Sequence, residues 1–208
     1  MRLLTVLVSY NRLELLKETV RSYRETVTLK HQLMIVDNGS DPETIDWLMA
    51  AMLSMPDVEV RYLNENRYPG FATNFGWQAG LVNHSYGLLH RSDNDVEYLP
   101  GWCEEVERMF AAYPVVGQLG LRTLEEEGPH AAVGGNCVLR SEVFAAGVRY
   151  REEPWGAIVH EDGYMSQSVV AAGYGWARVE NPCIVHRGIA DMNDPYYQET
   201  MRVRGITL

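Results

Sequence analysis

The chain has 208 residues, 46% of them hydrophobic and 22% charged, which is the size and composition expected of one soluble globular domain with a substantial core. Its formal net charge of −10 argues against a general nucleic-acid-binding protein, because phosphate neutralisation needs clustered Lys and Arg. The three cysteines lack zinc-type spacing and favour reduced thiols in a cytoplasmic protein over a disulfide framework, and no stretch approaches the length of a membrane span.

Strand and helix patterns alternate along the first half of the chain. Apolar runs predict four strands: Leu3–Val8, Gln32–Val36, Val58–Leu63 and Tyr86–His90. Helical spacing of apolar residues or capping residues predict the helices between them, which begin near Arg12, at Pro42 and near Phe71. This alternation predicts a parallel α/β sheet with right-handed crossovers.

The second half is less regular. Two longer helices are predicted over Gly101–Tyr113 and Glu161–Ala172, and a third helical pattern lies near Tyr196–Val203. The predicted strands are Val116–Leu121, Ala132–Leu139, Trp176–Val179 and Cys183–His186. No repeat or linker divides the chain, so we expect a single domain.

Polar clusters follow the predicted strands of the first half at their carboxyl ends. They are Ser9-Tyr10-Asn11, Asp37-Asn38, Asn64–Asn66 and Ser92–Asp95. Ligands of open parallel sheets bind at this edge. The sequence therefore predicts a polar crevice there.

Asp93 and Asp95 are the most informative residues in that crevice. Two carboxylates two residues apart at a strand end point the same way. Such a pair suits a hard divalent cation, Mn²⁺ or Mg²⁺, whose remaining ligands are water and a substrate diphosphate. The alternative is that the two aspartates cap a helix starting near Leu99.

These motifs together resemble family 2 glycosyltransferases of the GT-A fold, and most closely the rhamnosyltransferase-like branch. The resemblance starts with Val8-Ser9-Tyr10-Asn11-Arg12, Val36-Asp37-Asn38-Gly39-Ser40 and Ser92-Asp93-Asn94-Asp95, and continues through Asn66, Asn74-Phe75-Gly76, Gly134-Gly135-Asn136, His160-Glu161-Asp162-Gly163 and Val185-His186. It covers residues 3–188. No single motif is as specific as this order and spacing.

The resemblance implies a fold and a division of the chain. The fold would be α/β, with a Rossmann-like, mostly parallel central sheet flanked by helices and a smaller mixed sheet on the acceptor side. Residues 1–208 would form one domain, with the nucleotide sugar bound by 1–96, the acceptor and the catalytic residues in 97–190, and a helical tail over 191–208.

The resemblance also implies roles for the residues of the nucleotide pocket. Asp37 would accept a hydrogen bond from the base, uracil or thymine, and the residues after the first strand would frame the base and ribose. The full implied set is Ser9, Tyr10, Asn11, Asp37, Asn66, Asn74 and Asp93. One position departs from the family pattern, because Tyr68 stands where a glycine is usual, and its ring is expected to narrow the pocket or stack on a base.

The same resemblance implies the metal site and the catalytic base. Asp95 would ligate Mn²⁺ or Mg²⁺ directly, Asp93 would contact the ribose or metal-bound water, and His186 would complete the site. Asp162 would deprotonate the acceptor hydroxyl, with Glu161 beside it. The alternatives are that Glu161 and Asp162 only stabilise a helix N-terminus, and that His186 is an ordinary polar residue at a strand end.

The function that follows is a hexosyltransferase-type reaction. A sugar would move from a UDP- or dTDP-linked donor to an acceptor hydroxyl, and a single carboxylate base opposite the leaving group predicts inversion. The competing functions are a nucleotidyltransferase and a non-catalytic nucleotide-sugar-binding module. The acceptor stays open among a glycan, a lipid-linked sugar, a small molecule, a protein and a modified DNA base, and the sequence does not indicate an oligomeric state.

Overall fold

The computed structural model describes residues 1–82, 84–124, 133, 135–152 and 161–188. Its strands are β1 (Arg2–Ser9), β2 (Lys30–Asp37), β3 (Val58–Tyr62), β4 (Leu88–Ser92), β5 (Val96–Tyr98), β6 (Val116–Thr123), β7 (Cys137–Arg140) and β8 (Gly175–His186). Its helices are α1 (Leu13–Thr26), α2 (Pro42–Ser54), α3 (Tyr68–Leu81), α4 (Trp102–Ala112), α5 (Ser141–Ala145) and α6 (Glu161–Ala171).

All eight strands belong to one sheet, in the order β3-β2-β1-β4-β7-β6-β8-β5. The strands β1 to β4 pair in parallel, as the alternation of strands and helices predicts. The resemblance implies a smaller mixed sheet beside the central one, but the strands of the second half do not form a separate sheet. Instead, β7 pairs antiparallel with β4 and so continues the sheet of the first half. This pairing protects the β4 edge, whose backbone groups would otherwise lack partners.

Two apolar clusters cover the two faces of this sheet. Residues of α1, α2 and α4 pack on one face, with Leu3 and Leu7 of β1. Residues of α3, α5 and α6 pack on the other, with Leu4 and Val6. Because adjacent strand residues point to opposite faces, a strand covered on both faces is mostly apolar. The one polar side chain within Leu3–Val8, that of Thr5, is buried and hydrogen-bonded to Tyr23 and His90.

Strand register brings the polar clusters of the first half to one edge. Ser9 at the end of β1 is level with Asp37 at the end of β2, and Leu7 of β1 is level with Ser92 at the end of β4. The crevice therefore lies at the edge that the sequence predicts.

The second half differs from the sequence prediction at several places. The strands expected over Trp176–Val179 and Cys183–His186 are one strand, β8, whose register with β6 shifts near Pro182. Glu105 of α4 accepts hydrogen bonds from the backbone N–H groups of Glu180 and Asn181 at this irregularity, at 2.9 and 3.0 Å. The sequence analysis missed β5 and α5, which are only three and five residues long.

Several predicted features fall outside the described residues: the tail 191–208, the side chain of Glu161, the start of the strand predicted from Ala132, and the motif residues Gly134 and His160. Within the described ranges no helix is long and apolar enough to cross a membrane. All three cysteines, Cys103, Cys137 and Cys183, are free and buried.

Candidate donor and metal site

Asp93 and Asp95 lie in the turn between β4 and β5. They do not cap the following helix, because β5 intervenes and the N-cap of α4 is Gly101. The capping alternative is therefore wrong. One ligand atom each of Asp93, Asp95 and His186 can be chosen so that all lie within 4.8 Å of one another. Ligand atoms around one divalent cation have about this spacing, since each lies roughly 2.0–2.6 Å from the ion.

Asp95 combines burial with one committed and one uncommitted oxygen. Its Oδ2 accepts a hydrogen bond from Arg12 Nη1 at 2.7 Å, and each side chain is 10% exposed. Its buried Oδ1 accepts no hydrogen bond from the described residues and lies 3.5 Å from His186 Nε2. Burial raises the pKa of Asp95, Asp93 raises it further, and His186 and Arg12 oppose this rise. Two carboxylates, one of which has an unpartnered buried oxygen, and an imidazole fit a divalent cation.

The end of β8 is fixed directly on this turn. The backbone N–H of Arg187 donates to the carbonyl of Asp95 at 2.8 Å. Arg12 Nη2 donates to the carbonyl of Gly188 at 3.3 Å. A Cβ atom on Gly188 would collide with the Asp95 carboxylate. Sequence analysis missed Gly188 as a site residue, although it lies two residues after His186.

Asp93 is held by the residues just before β7. Asn136 Oδ1 accepts from the backbone N–H of Asp93 at 3.0 Å, and Asn136 Nδ2 donates to Asp93 Oδ2 at 3.2 Å. A Cβ atom on Gly135 would lie 2.5 Å from Asp93 Oδ2. Gly135 therefore gives the Asp93 carboxylate room to lie against the backbone.

Ser9 and Asp37 are buried polar residues at neighbouring positions, at the ends of β1 and β2. Asp37 Oδ2 accepts from the backbone N–H of Ser40 at 3.2 Å. Asp37 Oδ1 and Ser9 Oγ are buried, and neither has a hydrogen-bond partner in the part of the chain that the structure describes. Buried polar atoms without partners are costly and are typical of sites completed by a ligand.

Asn11 ties three loops together, and Tyr10 beside it is half-buried. The backbone N–H of Asn11 donates to Ser40 Oγ at 2.8 Å, and its Oδ1 accepts from the backbone N–H of Asp41 at 2.8 Å. Its carbonyl accepts from Asn94 Nδ2 at 3.1 Å. Asn11 and Arg12 both have left-handed backbone angles, with φ of 52° and 58°. These bonds hold the strained turn in place, as is common at functional sites.

Asn66 and Tyr68 lie where the loop after β3 leads into α3, which begins at Tyr68. Asn66 is exposed, and its Oδ1 accepts from Asn38 Nδ2 and from the backbone N–H of Tyr68, both at 3.0 Å. Tyr68 has a φ of 65°, the left-handed conformation that glycine adopts without steric cost. The local backbone therefore explains the glycine usual in the family, and Tyr68 adopts the same conformation with strain.

Asn74 has a different environment from the one that the resemblance implies. Its Oδ1 accepts from the backbone N–H of Tyr150 at 3.0 Å. Its Nδ2 donates to the Tyr150 carbonyl and to Glu152 Oε1, each at 2.9 Å. Both N–H groups and the oxygen are thus engaged, so the Asn74 amide anchors the segment around Tyr150 on α3, and its contact with a nucleotide stays a prediction.

Asp162 lies in the first turn of α6, which begins at Glu161. Its Oδ1 accepts from Arg91 Nη1 at 3.3 Å, and its side chain is 30% exposed. Arg91 Nη2 also donates to Asp93 Oδ1 at 3.4 Å. One guanidinium thus connects the predicted base with the predicted metal site. Sequence analysis missed Arg91, which occupies a strand position where an apolar residue is expected.

A second concave surface is lined by residues of the second half of the chain. It encloses about 950 Å³, and its lining includes residues of the segment 146–152 and of α6, among them Tyr164 and Ser168. The described residues that line it include none of the predicted nucleotide or metal residues. It is therefore distinct from the crevice at the strand ends.

Comparisons with known proteins agree with this geometry. Residues 5–135, more than half of the chain, match the profile of the family described as "Glycosyl transferase family 2". No curated protein sequence matches the chain significantly.

Solved structures with the same fold cover nearly the whole chain. The mannosyltransferase PcManGT from Pyrobaculum calidifontis, in complex with GDP-Man and Mn²⁺, superposes with a TM-score of 0.77 at 14% identity, over 96% of this chain and 60% of that one. TarS 1-349 from S. aureus, in complex with UDP-GlcNAc, gives 0.71 at 14% identity, over 98% and 65%. This chain thus spans less than two thirds of either structure, and at this identity the likeness shows the fold alone. The rhamnosyltransferase-like branch stays a prediction, but the profile match and the fold together show that the chain belongs to glycosyl transferase family 2 and has the GT-A fold.

Proposed function

We propose that this domain transfers a sugar from a nucleoside-diphosphate donor to an acceptor hydroxyl, with a divalent cation and with inversion at the anomeric carbon. One observation carries the proposal. The ligand atoms of Asp93, Asp95 and His186 converge within 4.8 Å of one another at the sheet edge that also holds the unpartnered atoms of Ser9 and Asp37. A nucleoside diphosphate needs both features, a cation for the phosphates and hydrogen-bonding groups for the base.

Three side chains would hold the cation: Asp95 through Oδ1, together with Asp93 and His186. The imidazole favours Mn²⁺ over Mg²⁺, which prefers oxygen ligands throughout. When bound, the ion offsets the negative charge that develops on the leaving diphosphate. Arg12 would keep the Asp95 carboxylate oriented, because it holds the other oxygen at 2.7 Å.

Asp37 supports a uracil or thymine base in the donor. One of its oxygens already accepts from Ser40, and the other, Oδ1, has no partner among the described residues. A single uncommitted oxygen matches a base that offers one N–H, as uracil and thymine do. Guanine offers two adjacent N–H groups and is better matched by a carboxylate with both oxygens uncommitted. We therefore propose a UDP- or dTDP-sugar as the donor.

Asp162 is the proposed general base. It has an exposed face, and Arg91 links it to the metal side of the crevice. A carboxylate there would accept the proton of the attacking hydroxyl as the diphosphate leaves from the opposite side of the sugar ring, which gives inversion. The neighbouring Glu161 is the second candidate for this proton transfer.

The test starts with donor turnover. The protein is incubated with Mn²⁺ and a panel of UDP-, dTDP- and GDP-sugars, and free nucleotide is measured. Release of nucleotide diphosphate supports the proposal, pyrophosphate exchange indicates a nucleotidyltransferase, and binding without turnover indicates a binding module. Candidate acceptors from each predicted class, including DNA with hydroxylated bases, are then added to the donor that turns over.

The base assignment is tested with Asp162→Asn. We expect the rate to fall about 10²–10⁴-fold, the usual contribution of a positioned general base, while UDP affinity measured by calorimetry stays within a few fold. Near-normal turnover in this variant would reject Asp162 as the base. NMR of the product gives the anomeric configuration, and retention would contradict the single-displacement mechanism.

A further inference from the structure

Arg91 occupies a core position of the sheet. It lies on β4, level with Val6 of β1 and Cys137 of β7, and both neighbours belong to the apolar cluster under α3 and α6. Its side chain is only 3% exposed. A buried guanidinium loses several kcal/mol of hydration unless ionic partners compensate. Packing alone would favour an aliphatic residue here, so the arginine needs another explanation.

The partners of Arg91 include two carboxylates from different elements, one in the turn after β4 and one in the first turn of α6. Nη2 donates to Asp93 Oδ1 at 3.4 Å, and Nη1 donates to Asp162 Oδ1 at 3.3 Å. Asp93 belongs to the candidate metal site and Asp162 is the proposed base. These carboxylates are 29% and 30% exposed, so both can meet a substrate while the guanidinium between them stays buried.

A rigid frame fixes the guanidinium in this place. Its carbon lies 4.6 Å from the centre of the Tyr150 ring, a distance at which a cation is attracted to an aromatic face. Tyr150 is itself held by Asn74 through its backbone and by Cys137 Sγ, 3.0 Å from its hydroxyl. A Cβ atom on Gly135 would lie 3.1 Å from Arg91 Nη2, so the glycine leaves room for the guanidinium.

We propose that Arg91 is a positioning residue, which holds the Asp162 carboxylate at a fixed place relative to Asp93 and thereby to the donor. This inference rests on the proposed function of Asp162. A base must lie within hydrogen-bond reach of the hydroxyl that it deprotonates, and a displacement of about 1 Å can cost on the order of 10²-fold in rate. Because α6 follows a stretch outside the described residues, the contact with Arg91 is a direct link from its first turn to the sheet.

The test compares Arg91→Met and Arg91→Lys with the unaltered protein, using hydrolysis of the active UDP- or dTDP-sugar as the assay. We expect Arg91→Met to lower kcat about 10–100-fold. KM for the donor and the Mn²⁺ affinity measured by EPR should change less than about threefold, because Asn136 still holds Asp93 through two hydrogen bonds. Arg91→Lys should recover part of kcat, because it restores the charge but not the two-pronged geometry. It also provides a result should the methionine variant fail to fold.

A double-mutant cycle separates positioning from general stabilisation. If Arg91 acts through Asp162, Arg91→Met should change the residual rate of Asp162→Asn less than about threefold. The matched control is Arg140→Met. Arg140 lies 4.6 Å from the Phe110 ring and donates to the carbonyls of Val116 and Phe110. We expect this control to lower the melting temperature but to leave kcat unchanged.

The outcomes distinguish this inference from the proposed function. A fully active Arg91→Met, a multiplicative effect in the Asp162→Asn background, or a large loss of Mn²⁺ binding would each overturn the positioning role. If Asp162→Asn is inactive while Arg91→Met turns over normally, only the role of Arg91 fails. If Asp162→Asn turns over normally, the proposed base itself fails.

Discussion

At the carboxyl ends of β1, β2 and β4, buried oxygens of Ser9, Asp37 and Asp95 have no hydrogen-bond partner among the described residues. In the second half of the chain, the buried polar side chains of Glu105 and Asn136 are engaged with backbone and side-chain partners. The first group has unmet hydrogen-bonding capacity that a ligand can satisfy. The second group stabilises the fold, which here includes holding the site residues in place. Unmet capacity alone does not mark a site, because Thr44 Oγ1 and Trp102 Nε1 are also buried without a partner among the described residues. The crevice is distinguished because three such oxygens lie along one sheet edge, beside the converging ligand atoms of Asp93, Asp95 and His186.

The largest effect is expected from removing Asp95, whose buried and unpartnered Oδ1 is the proposed metal ligand. Asp95→Ala removes the buried ligand oxygen and the partner of Arg12. We expect Mn²⁺ binding, measured by EPR, to weaken at least about 100-fold, and donor turnover to be lost, since a ligand itself is removed. The control is Asp57→Ala, which removes an ion pair with Arg24 elsewhere on the protein. If Asp57→Ala lost as much Mn²⁺ binding and donor turnover as Asp95→Ala, the unpartnered oxygen of Asp95 would not be a metal ligand.

The next largest effect tests how closely the end of β8 packs on the site. Gly188→Ala places a methyl group against the Asp95 carboxylate, so Asp95 must shift. We expect Mn²⁺ affinity to fall about 10–100-fold, the effect typical of groups that orient a metal ligand. Gly175→Ala is the matched control at the other end of β8, where the nearest atom would lie 3.6 Å from the new Cβ. An unchanged affinity in Gly188→Ala would show that Asp95 tolerates the displacement.

A smaller effect is expected from replacing Glu105, and it should change the stability of the fold but not the binding of Mn²⁺. Its pKa is lowered to about 2, first by the hydrogen bond from Arg108 and further by those from Asn181 and the Glu180 backbone. A lowered pKa in the folded state means that this stabilisation is fully present above the ordinary value of 4.5 and is lost as the pH falls towards 2.

Glu105→Gln should therefore lower the free energy of unfolding by about 1–2 kcal/mol at pH 7. The difference from the unaltered protein should shrink as urea unfolding is repeated between pH 5 and pH 2. The control is Glu107→Gln, at a half-buried position on the same helix, where the carboxylate has only a long 3.9 Å contact with the N-terminal amine. Turnover at neutral pH should be unaffected, and a loss of Mn²⁺ binding would show that the division between the two halves is too simple.

The smallest effect is expected at Tyr68. Its left-handed backbone costs roughly 1–2 kcal/mol for a residue with a Cβ atom, whereas glycine avoids this strain but loses about 0.5–1 kcal/mol in chain entropy. Tyr68→Gly should thus change the free energy of unfolding by less than about 1 kcal/mol. Tyr68→Ala, which keeps the strain and lacks the ring, should be the less stable of the two variants. The affinities of both for UDP and dTDP, measured by calorimetry, report whether the ring contacts the nucleotide.

Local patterns predicted the first half of the fold well. The buried runs of β1 and β2 have no competing interpretation, and parallel pairing puts their ends together, so the sequence alone is enough to predict that Ser9 and Asp37 are neighbours. The roles of Asn11 and Asn74 could not be predicted. An amide serves a ligand or a backbone equally well, and distant segments around Asp41 and Tyr150 decide which partner it has. Arg91 was missed because strand patterns assign core positions to apolar residues.

By itself the sequence determined the alternation of strands and helices, the polar ends of β1, β2 and β4, and the motifs that led to the family. These features depend on the periodicity of apolar residues and on residues that are close together in the chain, and a single sequence contains all of that information. Only the tertiary structure decided that His186 and Gly188 meet Asp95, that Arg12 holds one of its oxygens, and that Arg91 joins Asp93 to Asp162. Such contacts join residues far apart in sequence, and their geometry follows from strand order and packing, which no local pattern specifies.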